Sequence, residues 1–300
     1  MDRWHAMKVF LRVAEGGGFA EAARLLNMSP AAVTRAIASL EGTIGARLFI
    51  RSTRAVKLTE AGSRYFQDCR RIMADIDEAE AAAAGSFTKP SGLLTVTAPV
   101  MFGQIYVLPI LVDFLRANLA VTGRTLFLDR TTHLIDEGID VAIRIGHLPD
   151  SGLRAIPVGS VRRVICGSPA YFEAHGEPAH PSELTQHTLI AATSAWTSPN
   201  WRFRSEPPIE VTVNPRLFCN TNQAAISAAT EGWGLTRLLS YQVASLLERG
   251  QLKTVLGDFE EDPLPIHVVH SEGRHAAAKV RSFIDFAVAA LRGNPLINRP

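Results

Sequence analysis

Phe19–Glu41, FAEAARLLNMSPAAVTRAIASLE, is the stretch that decides how this chain is read. It predicts two short helices joined by a tight turn. Apolar or small residues recur at Phe19, Ala22, Ala23, Leu25 and Leu26, the spacing of one buried helical face. Asn27 follows, and Asn tolerates the left-handed conformation in which helices often end. Ser29 is then an N-cap, with Pro30 at the first helical position, where its missing N–H costs nothing. In the second helix Ala32, Val33, Ala36, Ile37 and Leu40 face inward. Ala31, Thr34, Arg35 and Ser39 are left outside. Such a face can approach base edges closely, and Arg35 can reach a guanine or a phosphate. By itself the pattern also fits an ordinary amphipathic hairpin, so its neighbours decide.

Upstream, Met7, Phe10, Leu11, Val13 and Ala14 of a preceding helix can pack over the hairpin. Gly16–Gly18 form the connecting turn, with Gly18 at the N-cap of the next helix. Downstream, Gly45–Leu58 alternates Leu48, Ile50, Val56 and Leu58 with Arg51, Arg54 and Lys57. This predicts a two-stranded wing whose basic tip lies along the sugar–phosphate backbone or probes the minor groove. The candidate DNA-binding residues are therefore Ser29, Pro30, Ala31, Thr34, Arg35, Arg51 and Arg54. Charge agrees: residues 1–58 carry a net +5, although the whole chain carries only +2. A basic head on a mildly acidic body suits a DNA-binding module with a separate second domain.

Thr59–Gly62 caps a long helix. Its apolar residues Tyr65, Cys69, Ile72, Ile76, Ala79 and Ala83 recur at alternating steps of four and three, a coiled-coil period. The helix can pair with a second copy or pack on its own body. Because recognition helices usually work in symmetric pairs, the first is favoured.

These motifs carry a resemblance. MDRWHAMKVFLRVAEGGGFAEAA, then MSPAAVTRAIASLE, then IGARLFIRSTRAVKLTEAG resemble a LysR-type transcriptional regulator, and the likeness continues through the body. The resemblance implies an α/β protein: an N-terminal winged helix-turn-helix (1–59), a dimerising linker helix (60–86) and a two-lobed effector-binding domain shaped like a periplasmic binding protein (87–300). Lobe I would comprise about 93–160 and 268–300, and lobe II about 161–267. It also implies a homodimer or homotetramer on double-stranded DNA carrying an interrupted inverted repeat, a small-molecule effector, and RNA polymerase as a further partner. Two departures stand out. Gly18 replaces the Ser or Thr common before the second helix, and Gly42 is expected to fray the end of the recognition helix.

Gly85–Gly92 has the composition of a linker. Beyond it strands are expected at Leu93–Thr97, Thr125–Leu128, Asp140–Ile145, Val161–Cys166, Leu217–Asn220 and Ile266–His270. Helices are expected at Gly103–Ala117, around His133–Glu137, after Ser168–Pro169, at Gln223–Glu231 and at Ala277–Leu291. This order argues for α/β sheets with parallel strands. Such sheets bind ligands at the carboxyl ends of their strands. The candidate effector contacts there are Val100, Met101, Phe102, Thr131, Gly146 and His147 in the first lobe. Thr193, Trp196, Asn220 and Thr221 are their counterparts in the second. Helix N-termini facing a cleft favour a small anion, while Val100 and Met101 point to an apolar or aromatic ligand, together a small organic acid.

Other chemistries find little support. Cys69, Cys166 and Cys219 lack CxxC spacing and read as reduced thiols, with a Cys166–Cys219 redox pair the alternative. The histidines form no HxxxH or HxH pair, so no metal site is expected. There is no G-x-S-x-G elbow or Walker loop, and Gly232-Trp233-Gly234 reads as a turn from helix to strand. No enzyme and no cofactor are expected. A solute-binding protein would leave the basic head unexplained. MDRWHAMK is no signal peptide and no membrane span stands out, which points to the cytoplasm.

Overall fold

Capping and patterning set the head. The computed structural model describes residues 2–16, 18–51, 56–83, 89–148, 152–192, 198–271 and 277–297. These divide into two compact units, Met1–Thr88 and Lys89–Pro300. In the first, α1 (Arg3–Glu15) starts at Asp2, whose carboxylate accepts from the Trp4 N–H at 3.0 Å. α2 (Phe19–Leu25) is followed by Asn27 at φ 51°, left-handed as expected. α3 (Pro30–Ile44) is capped by Ser29, whose Oγ accepts from Ala32 N at 3.2 Å. The expected fraying at Gly42 does not occur. α3 runs on to Ile44 and stops at Gly45, whose left-handed φ of 75° a glycine adopts without strain.

Glu41 ties that end down, its carboxylate accepting from Leu48 N at 2.7 Å and Phe49 N at 3.2 Å. β1 (Phe49–Arg51) and β2 (Val56–Leu58) then pair antiparallel as a wing. Val9, Phe10, Val33, Ile37 and Leu40 are fully or almost fully buried in the head's core. Leu25, expected inward, is instead 49% exposed. At 3.6 residues per turn it lies about 200° around the helix from the buried Ala23.

α4 (Glu60–Ala83), about 36 Å long, begins against the wing. Thr59 Oγ1 accepts from Gly62 N and donates to the Arg47 carbonyl, at 2.9 and 2.7 Å. A Cβ at Gly62 would lie 2.0 Å from the Leu48 carbonyl oxygen, so glycine is what allows this approach. Tyr65, Phe66, Cys69 and Met73 belong to the head's core, with the Phe10 ring 5.3 Å from Tyr65. The first two positions of the expected seam thus pack on the chain itself. Ile72 is exposed and Ile76 half-buried, while the side chains of Ala79 and Ala83 fall outside the description.

The second unit opens with β3 (Gly92–Ala98), a helical run of α5 (Val100–Phe102), a π turn (Gly103–Val107) and α6 (Leu108–Ala117), then β4 (Val121–Phe127), β5 (Val141–Ile145) and β6 (Arg154–Val161). Next come β7 (Arg163–Gly167), α7 (Pro169–His175), β8 (Leu189–Ala192), a hairpin of β9 (Asn200–Phe203) and β10 (Ile209–Thr212), and β11 (Leu217–Cys219). α8 (Asn222–Thr230), β12 (Leu235–Leu239), α9 (Ser240–Glu248) and β13 (Lys253–Val255) precede β14 (Leu264–His270) and α10 (Ala278–Arg292).

Two five-stranded sheets result, β4-β3-β5-β14-β6 and β11-β8-β12-β7-β13. The parallel expectation holds for half of each. β3 runs parallel to β4 and β5, and β8 to β11 and β12, but β14 and β7 are antiparallel to their neighbours. β14 enters the first sheet from the second lobe, against the direction of β5. The hairpin β9–β10 was not foreseen, and the helix expected around His133–Glu137 is a turn closed by Glu137 N donating to His133 O at 3.0 Å. The run Val100–Ala117 is 18 residues long and apolar enough to match a membrane span by composition, yet its Phe102, Tyr106, Leu111 and Phe114 are buried in the first lobe's core.

Candidate recognition helix and effector cavity

On α3 the exposed face is built from small residues around one cation. Pro30, Ala31, Arg35, Ala38 and Ser39 are exposed. Ser29 Oγ is engaged in the cap, and the Thr34 hydroxyl donates to the Pro30 carbonyl at 2.9 Å, which leaves its methyl outermost. Arg35 has no hydrogen-bond or ion-pair partner among the described residues, so its guanidinium is available to a base edge or phosphate. Arg51 lies in β1 with its side chain outside the description, and Arg54 lies outside the described residues altogether. Arg47 and Lys57, flanking β1 and within β2, are the exposed cations of the described wing.

In the second unit a cavity of about 580 Å³ opens between the two sheets, a size suited to a small ligand. The ends of β3 and β5 and the loop 128–131 wall one side. β8, β12 and the β9–β10 hairpin wall the other. Arg130, Arg144, Arg163, Arg202 and Arg237 line it against Asp129, Glu210 and Glu261, an excess of positive charge.

Each charge has a distinct setting. Asp129 Oδ1 accepts from Val100 N at 2.9 Å, so the protein's own carboxylate occupies the helix start expected to hold an anion. Arg130 grips Glu137 at 2.7 and 2.9 Å, and this hydrogen-bonded pairing holds the Glu137 carboxyl down to about 2. Arg144 Nη2 donates only to neutral acceptors, Thr132 O and Oγ1, both at 2.6 Å; burial lowers its pKa. Arg237 lies 5.4 Å from the Trp201 ring and 5.5 Å from that of Phe203, and pairs with Glu261 at 2.6 Å. Burial pushes its pKa down, against the pull of Glu261.

Of the expected effector contacts, Thr131 lines the cavity. Val100, Met101, Phe102, Gly146, His147, Asn220 and Thr221 are not among the described residues that line it. Phe102 is fully buried, its ring 4.8 Å from Tyr106 and 5.2 Å from Tyr241. Met101 packs against the cores of both lobes. Gly146 N donates to the Pro265 carbonyl at 2.8 Å, and His147 and Asn220 are exposed. Thr221 caps α8 by accepting from Ala224 N at 3.2 Å, placing the next residue, Asn222, on the cavity wall. Thr193 and Trp196 lie outside the described residues. The aromatic residues that the structure does place in the wall are Trp201 and Tyr241. Arg144, Arg237 and Glu261 were also missed; an arginine inside the apolar strands VAIRI and LTRLL was the available signal.

The thiol alternative fails on distance. β8 and β12 separate Cys219 on β11 from Cys166 on β7, three strand spacings or about 14 Å, where a disulfide needs Cα atoms within about 7 Å. Burial also pushes the Cys166 thiol up to about 12.

Residues 4–63 match the family described as bacterial regulatory helix-turn-helix protein, lysR family, and residues 88–292 match the LysR substrate binding domain. An HTH-type transcriptional regulator of Xanthomonas campestris is 33% identical over 288 residues, covering 94% of this chain and 84% of the relative. The full-length Vibrio cholerae virulence activator AphB is 26% identical with a TM-score of 0.61, covering 95% of this chain and 98% of its own. CrgA of Neisseria meningitidis is 28% identical with a TM-score of 0.62, covering 97% and 99%. With both of its units so matched, the chain belongs to the LysR family: it is a DNA-binding transcriptional regulator with an effector-binding domain, not an enzyme.

Proposed function

We propose that the effector is a small organic acid held in the cavity between the two sheets, and that it changes the protein's affinity for its operator. The observation that supports this reading is the cationic excess of the wall, together with Arg144, which makes no ion pair or hydrogen bond with a carboxylate among the described residues. Apolar surface from Ile143, Ile190, Leu238 and Trp201 suits a ligand with a ring or short chain.

In the same reading α3 enters the major groove through Ser29, Pro30, Ala31, Thr34 and Arg35, while Arg51 and Arg54 of the wing hold the backbone. Ile72 and Ile76, left partly exposed on α4, join two copies on an interrupted inverted repeat, as a dimer or a dimer of dimers. Such a protein works in the cytoplasm, with RNA polymerase as its downstream partner. A thermal-shift screen of the full chain tests the effector class. A ligand at 100 times its dissociation constant stabilises the folded state by about 2.7 kcal/mol. Hits among aromatic or short-chain carboxylates are expected; hits confined to sugars or cationic amines would end the proposal.

A further inference from the structure

Three charged side chains on the cavity wall form an incomplete set. Arg163 Nη1 and Arg237 Nη2 both donate to one oxygen, Oε2 of Glu261, at 2.9 and 2.6 Å. Two guanidiniums share one carboxylate, so the set carries a net positive charge. Arg237 spends only Nη2 on Glu261 and on the Arg202 carbonyl at 3.1 Å. Its Nε and Nη1 have no acceptor among the described residues, although a guanidinium offers five donors. The side chain is 16% exposed, and the Trp201 and Phe203 rings fix its position. A cation so far removed from water is stable only when fully paired. Here the pairing is half made, on the wall of a cavity.

Glu261 and Arg163 also lie where the chain passes between the lobes. Arg163 opens β7 directly after β6, and Glu261 lies in the segment between β13 and β14. Alongside, Arg162 pairs with Glu260 at 2.8 Å, so two ion pairs tie the crossing segments together.

We propose that Arg237 and Arg163 are the anion anchor of this cavity and that Glu261 is their resident counter-ion, the effector's carboxylate binding as a second acceptor across the two guanidiniums. This rests on the organic-acid reading of the cavity and adds where its charge is read: in the second lobe, beside the crossing segments, and not at the start of the Val100–Ala117 run, which Asp129 already caps. A guanidinium holds its remaining donors in a fixed plane, which a flexible ammonium cannot do.

The test titrates the full chain with benzoate, and with benzamidine as a cation of the same shape, following tryptophan fluorescence because Trp201 lies against Arg237. Circular dichroism melting checks that each variant is folded. Glu261→Gln removes the competing charge and should bind benzoate about tenfold more tightly, whereas Arg237→Met should bind it about tenfold more weakly, one charge-assisted hydrogen bond being worth about that factor. Arg237→Lys keeps the charge but not the fixed plane of donors and should also weaken binding, which keeps the test valid if the methionine variant unfolds. Unchanged affinities in these variants, or a loss confined to Arg144→Met, would overturn the anchor and leave the organic-acid reading standing. Benzamidine binding in preference to benzoate, or no benzoate binding by either the parent chain or Glu261→Gln, would overturn both.

Discussion

The recognition helix takes its candidate contacts from one run of the chain, the cap Ser29 and the 15 residues Pro30–Ile44. The cavity collects its wall from the ends of β3 and β5, the loop 128–131, β8, the β9–β10 hairpin, β12 and the segment before β14. The first kind of site is written locally. Ser29 caps, Pro30 starts, the buried Val33, Ala36, Ile37 and Leu40 fix the inner face, and the outer face follows by a 3.6-residue period. The second depends on which strands become neighbours, and hydrophobic patterning does not encode that. Asp129 and Val100 meet across 29 positions, and Arg162 and Glu260 across 98.

That contrast can be broken most severely at Gly62. An added Cβ there meets backbone, which cannot swing aside, so Gly62→Ala should cost at least the roughly 1–3 kcal/mol of an overpacked site. In thermal unfolding the first unit should melt early and DNA binding should fail, while the second unit's transition stays in place. If both transitions moved together, the two units would not be separately encoded. A next, smaller disturbance is Ile76→Lys. A charge in the proposed seam should lower the sedimenting mass and abolish cooperative binding to a duplex with two half-sites. Unchanged mass would give α4 the role already visible at Tyr65 and Cys69, packing on its own head.

Arg35 sharpens the comparison inside the head. Arg35→Ala should weaken binding to a selected operator by about 1–3 kcal/mol if it makes a bidentate base contact, and random duplex by less. Equal losses on both DNAs would make it a phosphate contact. The smallest effect is expected at Gly42, also in the head and of opposite sign to Gly62. Nothing lies within 4 Å of a Cβ placed there. Gly42→Ala should raise stability by about 0.4–1 kcal/mol, read as a higher melting temperature of the first unit. A loss would mean that the end of α3 is frayed after all.

Much of the architecture was legible for the same local reasons. Capping signals at Ser29 and Ser168 marked the starts of α3 and α7, and apolar runs marked β3, β5 and β14. Strand direction was not legible, because β14 returns to the first sheet after a long excursion and meets β5 antiparallel. His133–Glu137 was expected to be helical, but it forms a turn, with Glu137 N donating to the His133 carbonyl and the Glu137 side chain paired with Arg130. In the cavity Thr131 was found and Trp201, Arg144, Arg237 and Glu261 were not. The rule that ligands lie at strand ends selects positions in each strand separately. It misses an arginine in the middle of LTRLL, whose side chain matters only once a second sheet faces it.

One proposal joins the two regions: an acid in the cavity changes what the recognition helix does on DNA. The direct test measures operator affinity by titration with and without a saturating carboxylate identified in the thermal screen, then carboxylate affinity with and without operator. The account predicts a shift of about 5–150-fold, equal in both directions because coupling between two binding sites is reciprocal. A carboxylate that binds in the cavity while operator affinity stays the same would contradict it.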